Sequence, residues 1–278
     1  ECLALARSQL RVRPQGSLLT GEMRPARRPS ALFRYIEELQ GDRPWGSFLD
    51  AGTGTNSIGW VSSLSTDRWV AVTGATGHAV QVRDAVDRVR RPQDRIIVAN
   101  WADAALLEGE RFDTVLADYL IGAVEGFAPY FQEGMFRRLR GVTRHTLYLV
   151  GLEPYVTTPP ETEAGRLVWE IGRFRDAVLL HAGERPYREY PMDWVLAHLE
   201  GAGFRVASAR RFPIRYKARF VNSQIDMCAP RIARLGDPAL AAALTLRARD
   251  LRARALAFTD REGGIRHGHD YVIAAEPA

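Results

Sequence analysis

Apolar residues follow two rhythms along the chain. Short runs at Ser47 to Asp50, Trp69 to Thr73, Arg95 to Ala99, Thr114 to Asp118 and Thr146 to Gly151 are almost wholly apolar, and longer stretches between them carry apolar residues at helical spacing. Continuous apolar runs of this length suit strands covered on both faces, and helices between them make each crossover parallel. The runs recur roughly every 20 to 35 residues, which predicts βαβ units in a doubly wound, mostly parallel sheet of α/β class.

The flanking segments complete the layout. Ser30 precedes an amphipathic helix, ALFRYIEELQ, with Leu32, Phe33, Ile36 and Leu39 on one face and a stop at Gly41. The rhythm breaks at Glu153. Residues 153–190 hold Pro154, Pro159 and Pro160, a helical stretch and the aromatics Tyr155, Trp169, Phe174, Tyr187 and Tyr190, and are read as an inserted cap. Regular order resumes with the helix PMDWVLAHLEGAGF and a sixth strand at Arg205 to Ala209. Asp237 and Pro238 then open a long helix running to about Phe258, and DYVIAAE forms a last strand. The expected organisation is a leader and helix over 1–41 and one large domain over 42–278, with 153–190 as its substrate-facing insertion.

Composition narrows the class. At 46% hydrophobic and 26% charged residues over 278 positions the chain can bury a full core, and no apolar run is long enough for a membrane span. Cys2 and Cys228 form neither a metal-ligand pair nor a disulfide framework, which favours a reducing, cytoplasmic setting. The net charge of +5 comes from arginines spread over the whole sequence, with Lys217 the single lysine, and so argues little for a nucleic-acid partner. The segment up to Arg28 is rich in arginine and poor in acids, and the chain starts at Glu1. Those features fit a docked leader or the remnant of an organellar transit peptide equally. The histidines show no metal-ligand spacing backed by acids or thiols; His267 and His269 are expected in a surface turn, and His181 is the one histidine worth testing as a base.

The densest chemistry lies in FLDAGTGTNSIG, Phe48 to Gly59. A strand ends at Asp50, Gly52 and Gly54 allow a tight turn with close backbone approach, and Thr55, Asn56 and Ser57 lead into a helix. A dinucleotide fingerprint needs a third glycine where Ser57 stands, and no Gly-Lys-Ser/Thr follows for a phosphate loop.

The spacing acid-x-Gly-x-Gly instead resembles the first motif of class I S-adenosylmethionine-dependent methyltransferases. The resemblance continues in ANWADAALL, where Asp103 takes the place of the acid that receives the adenine amino group and Trp101 or Ala102 that of its apolar cover. It continues again in ERFDTVLADYLIG, whose Asp118 takes the place beside the transferable methyl group. LEGAGFRV and DYVIAAE match the late part of that fold. The resemblance spans about Leu32 to the C-terminus outside 153–190. It implies a Rossmann-like seven-stranded sheet with an antiparallel last strand, and S-adenosylmethionine held by Asp50, Gly52, Gly54, Thr55, Thr73, Trp101, Ala102, Asp103 and Asp118. One departure stands out: WVAVTGATGHAVQVR contains no Asp or Glu to hold the ribose hydroxyls, leaving Thr73, Thr76, His78 and Gln81 as replacements.

Methyl transfer is an in-line displacement in which the protein aligns the nucleophile and lets it lose a proton. Asp118, Tyr119 and Glu153 are the residues expected to bind or deprotonate the acceptor, a nitrogen or oxygen of a small metabolite. The aromatics of the insertion, with Glu161, Glu163 and Glu170, would suit an amine. DYLI lacks the Pro-Pro-aromatic turn of methyltransferases acting on bases or peptide amides. Three other readings stay open: an aminopropyl-type transferase on the same scaffold, an NAD oxidoreductase disfavoured by Ser57, and a binding subunit that kept the fold without the chemistry. A homodimer is compatible with all of them.

Overall fold

The computed structural model describes residues 29–278; the basic leader, Cys2 and the transit-peptide expectation lie outside the described residues. Seven strands form one sheet in the order β3-β2-β1-β4-β5-β7-β6, with β1 Ser47–Asp50, β2 Arg68–Thr73, β3 Arg95–Val98, β4 Phe112–Asp118, β5 Thr143–Leu152, β6 Phe204–Tyr216 and β7 Ile265–Pro277. The first five strands run parallel, and β7 runs antiparallel between β5 and β6.

Alternation along each strand builds two cores. Leu49, Val70, Val115, Leu147 and Ile273 face one layer, where they meet Met135, Phe136 and Leu139 of α5 (Gln132–Val142) and Val195 and Leu199 of α7 (Met192–Gly201). Phe48, Trp69, Leu116, Tyr148 and Val272 face the other, against α1 (Ala31–Gln40), α2 (Thr55–Val61) and α3 (Thr76–Val86). The period of two in a pleated strand divides adjacent residues between the layers. Ser30 caps α1 as the sequence predicts, its hydroxyl accepting from the Phe33 amide at 3.2 Å.

The sixth and seventh strands are longer than their sequence signals. Pro213 and a run of arginines mask the second half of β6, but β6 is an edge strand, where a missing amide donor and outward arginines are tolerated. His267 and His269 therefore lie within β7 rather than in a turn before it. The extended β6–β7 hairpin carries three helices, α8 (Ala218–Asp226), α9 (Ala229–Ile232) and α10 (Pro238–Glu262). These pack with α6 (Glu163–His181) around Tyr155, Val168, Ile171, Val178, Ile225 and Leu251. This helical layer is thus assembled from two separate stretches, one within 153–190 and one between β6 and β7.

Gly151 fixes how the cap's connecting segment is tied to the sheet. It opposes Tyr271 in the β5–β7 ladder, and a Cβ there would sit 2.2 Å from the tyrosine ring. The ring lies flat across the glycine and its hydroxyl donates to the Tyr190 carbonyl at 2.9 Å. Gly151→Ala must displace a fully buried tyrosine, so a loss of about 3 kcal/mol is expected in urea unfolding. An unchanged unfolding midpoint would mean the ladder has slack at this point.

Candidate active site

A cavity of about 360 Å³ opens at the carboxyl edge of β1, β2, β3 and β4, where the strand order reverses between β1 and β4. Ligands of doubly wound sheets bind at that switch point because the connections there leave to opposite faces and open a crevice. Its floor is the turn Ala51–Gly54. Here the amide of Ala51 donates to Leu116, that of Thr53 donates to Val72, and the Trp101 indole donates to the Ala51 carbonyl at 2.7 Å. Gly52 is required because a Cβ would stand 3.0 Å from Leu120. Ser57, at the place of a third glycine, bonds back to the Gly54 amide at 2.9 Å and closes the turn with its own hydroxyl.

Asp50 lies at the base of this turn with no exposed surface, and among the described residues neither its carboxylate oxygens nor the buried Thr53 hydroxyl has a hydrogen-bond partner. Burial pushes the Asp50 carboxyl up to about 6, only partly offset by Thr53, Ser57 and Gly52 around it. Such an acid is costly to the folded chain unless something cationic meets it.

On the neighbouring strand, Asp118 ends β4 and lines the cavity, and it makes no hydrogen bond among the described residues. Burial, with Asp50 and Asp270 nearby, pushes its carboxyl up to about 7. Tyr119 follows in a left-handed conformation, φ 50° and ψ 20°, which a bulky residue adopts only where its surroundings enforce it. Its amide donates to Val150 and its hydroxyl donates to Asp270 at 2.8 Å, so the strained residue is held at both ends. Burial raises the Tyr119 phenol far above its ordinary range, so it stays a neutral donor.

Of the residues expected to hold the cofactor, Gly52, Gly54, Thr73, Trp101 and Asp118 line the cavity. Thr55 is exposed on the first turn of α2. Ala102 and Asp103 lie outside the lining; Asp103 caps its own turn by accepting from the Ala105 amide at 2.9 Å. Thr73 and His78 reach the cavity, whereas Thr76 and Gln81 do not. Asn100 lines the cavity in its own right and donates to the Phe127 carbonyl, while the Phe127 ring fills the space above Gly74.

The acceptor side differs most from expectation. Tyr119 lines the cavity as predicted, but Glu153 is turned away, its Oε1 accepting from Arg211 at 2.8 Å and from the Met192 amide. Glu170 pairs with Arg247 and Arg254, Glu163 with Arg261, and His181 is exposed at the end of α6, so none of them serves the cavity. Glu189 and Tyr187 take their place. They belong to the segment from α6 to α7, which crosses α4 (Leu120–Ala123): the Arg188 amide donates to the Gly122 carbonyl, and the Glu189 carboxylate fills the space a Cβ on Gly122 would need, 2.6 Å away. Tyr187 rests on Gly126. Burial pushes the Glu189 carboxyl up to about 7, opposed by Arg175 and reinforced by Asp270 and Asp176. No local pattern marks Glu189 in the sequence; only the crossing over α4 brings it to the cavity.

Solved structures share this fold. An inferred methyltransferase from Bacillus halodurans aligns over 89% of this chain and 99% of its own at a TM-score of 0.55 and 14% identity. The [4+2]-cyclase SpnF aligns over 88% and 79% at 0.53 and 15%. The mycolic acid cyclopropane synthase CmaA1, solved with SAH and CTAB, aligns over 88% and 83% at 0.50 and 16%. No protein-family profile and no curated sequence matches the chain. The seven-stranded order with an antiparallel β7 and the alignment over most of both chains give this protein the class I methyltransferase fold.

Proposed function

We propose that the protein is an S-adenosylmethionine-dependent methyltransferase acting on a nitrogen or oxygen of a small molecule. The observation that carries this reading is Asp50, buried beneath the glycine turn without a hydrogen-bond partner among the described residues, together with Asp118 in the lining of the switch-point cavity that the turn borders. Gly52 and Gly54 admit a ligand close to the backbone, Trp101 and Thr73 wall it, and Asp50 supplies the charge for an ammonium. That cofactor, when bound, supplies a methyl group on a positively charged sulfur. Asp118 stands where an acceptor would lose its proton, and at about 7 its carboxyl is poised to accept one at neutral pH. Tyr119 donates from a fixed position, and the wall formed by Tyr187 and Glu189 narrows the entrance to water.

A second reading rests on a specific observation. The end of β2 offers Thr73 and Gly74, with Phe127 packed over the glycine, where a ribose-holding acid is missing. A binding subunit without chemistry would tolerate that loss. Calorimetric titration with S-adenosylmethionine and S-adenosylhomocysteine, with NAD as control, tests both. Dissociation constants in the micromolar range for the first two alone are expected, of order −8 kcal/mol. Failure of either to bind a folded chain removes the enzyme reading, and binding of NAD alone replaces it with an oxidoreductase.

A further inference from the structure

We propose that the acceptor is an amine, seated as its ammonium between Asp118 and Glu189 against Tyr119 and Tyr187, whose nitrogen gives a proton to Asp118 and so frees the lone pair that takes the methyl group; this rests on the methyltransferase reading for its chemistry, but not for its binding. Asp118 and Glu189 both line the cavity, are enclosed by protein elsewhere, and have no hydrogen-bond or ion-pair partner among the described residues. Asp270 stands behind them, bonded to Tyr119 and close enough to influence both. Arg175, whose guanidinium acts on Glu189, is already committed: its Nε and Nη2 donate to Asp176 at 2.8 and 2.7 Å, and its Nη1 donates to Tyr155 and Gln224. The chamber therefore holds more carboxylates than cations to balance them.

A positive ligand discharges this arrangement, and the surroundings decide which kind. Among the described residues no three acids, histidines or cysteines converge as metal ligands do, so the carboxylates form a divided wall rather than a cage for a bare ion. Aromatic faces between separated acids attract a polarisable, weakly hydrated cation with carbon attached. The cavity's wall is otherwise apolar at Leu120, Ala123 and Val124, which suits a hydrocarbon body behind the ammonium. A Cβ on Gly122 would stand 2.6 Å from the Glu189 carboxylate, so a side chain there would push that flexible end aside.

The test is calorimetric titration of the intact chain, with and without saturating S-adenosylhomocysteine. The probes are a panel of primary and secondary amines of graded size, each paired with the neutral alcohol and the carboxylic acid of the same carbon skeleton. At least one amine is expected to bind, at least about tenfold more tightly than its alcohol, and the acids not at all. Glu189→Gln should weaken that amine about tenfold or more while leaving S-adenosylhomocysteine affinity unchanged, and it should not lower the unfolding midpoint at neutral or higher pH. Gly122→Ala, which pushes the carboxylate aside without removing it, should weaken the amine in the same direction. Equal binding of amine and alcohol, preference for the acid, or silence of the whole panel in a chain that binds S-adenosylhomocysteine overturns the proposal. Amine binding without S-adenosylhomocysteine binding would uphold it and sink the methyltransferase reading instead.

Discussion

Asp118→Asn is expected to lower turnover about 100-fold or more while changing S-adenosylhomocysteine affinity less than about twofold. The asparagine keeps the shape of the side chain at the end of β4 and loses only the capacity to take a proton. In the native protein that carboxyl is pushed up to about 7 by burial and by Asp50 and Asp270, so it is half ionised near neutrality. Turnover of the native chain should therefore climb as pH rises through about 7 and level off above it, with Glu189, in the same range, sharing in the climb. The variant should retain only the part due to Glu189. Stability moves the opposite way. A carboxyl whose folded pKa lies above its unfolded value binds more protons in the native state, so the native chain loses stability as pH rises from about 4 to about 7. Removing Asp118 removes that loss, and the variant should melt higher than the native chain at pH 8. Turnover held within about threefold would move the proton to Glu189, the other carboxyl the cavity holds near neutrality.

The contrast between Asp118 and Glu189 shows what a sequence displays and what it hides. Asp118 is visible because the apolar run Val115-Leu116-Ala117 leads into it at the end of a strand and the switch-point rule says what that last residue faces. Asp50, Gly52 and Gly54 are visible for the same reason, with the turn adding its own glycine signature. Glu189 has neither support. It lies in an irregular segment, and its placement comes from a backbone bond to Gly122 and from Tyr271 reaching across Gly151 to Tyr190, contacts between residues 66 to 81 positions apart. The acids that spacing made attractive, Glu163 and Glu170, lie on α6, and their charges go to arginines of α10, nearly 80 or more positions away. Helical periodicity finds α6 and α10 but does not say that they pack together. Nor does it say that the second half of β6 and the first half of β7 extend the sheet to carry that packing. The cofactor side of the cavity is built from local turns at strand ends, and the acceptor side from tertiary crossings. Legibility follows that division.

Asp50→Ala is expected to weaken S-adenosylhomocysteine binding about 100-fold or more without destabilising the free protein at neutral pH. The affinity loss follows from removing the acid aimed at an ammonium in a water-excluded turn, where one partner of a buried charge pair is worth about 2–5 kcal/mol. The stability result is the sharper one. In the free chain Asp50 has no exposed surface and no hydrogen-bond partner, and its carboxyl is pushed up to about 6. Holding it ionised at pH 8 costs roughly 3 kcal/mol relative to the unfolded chain. The alanine removes that cost and leaves a small cavity, so the two effects oppose and the variant should melt at or above the native temperature at pH 8. The cost exists only where the folded chain must lose a proton that the unfolded chain has already lost. The variant's advantage should therefore shrink as pH falls through 6 towards 4, where the native carboxyl is protonated and comfortable. A residue that weakens the empty fold and strengthens the occupied one is retained for its ligand. Should Asp50→Ala instead unfold the protein at every pH while S-adenosylhomocysteine still bound the folded fraction at native affinity, Asp50 would be a strut of the turn and the charge that meets the ligand would have to come from Asp118.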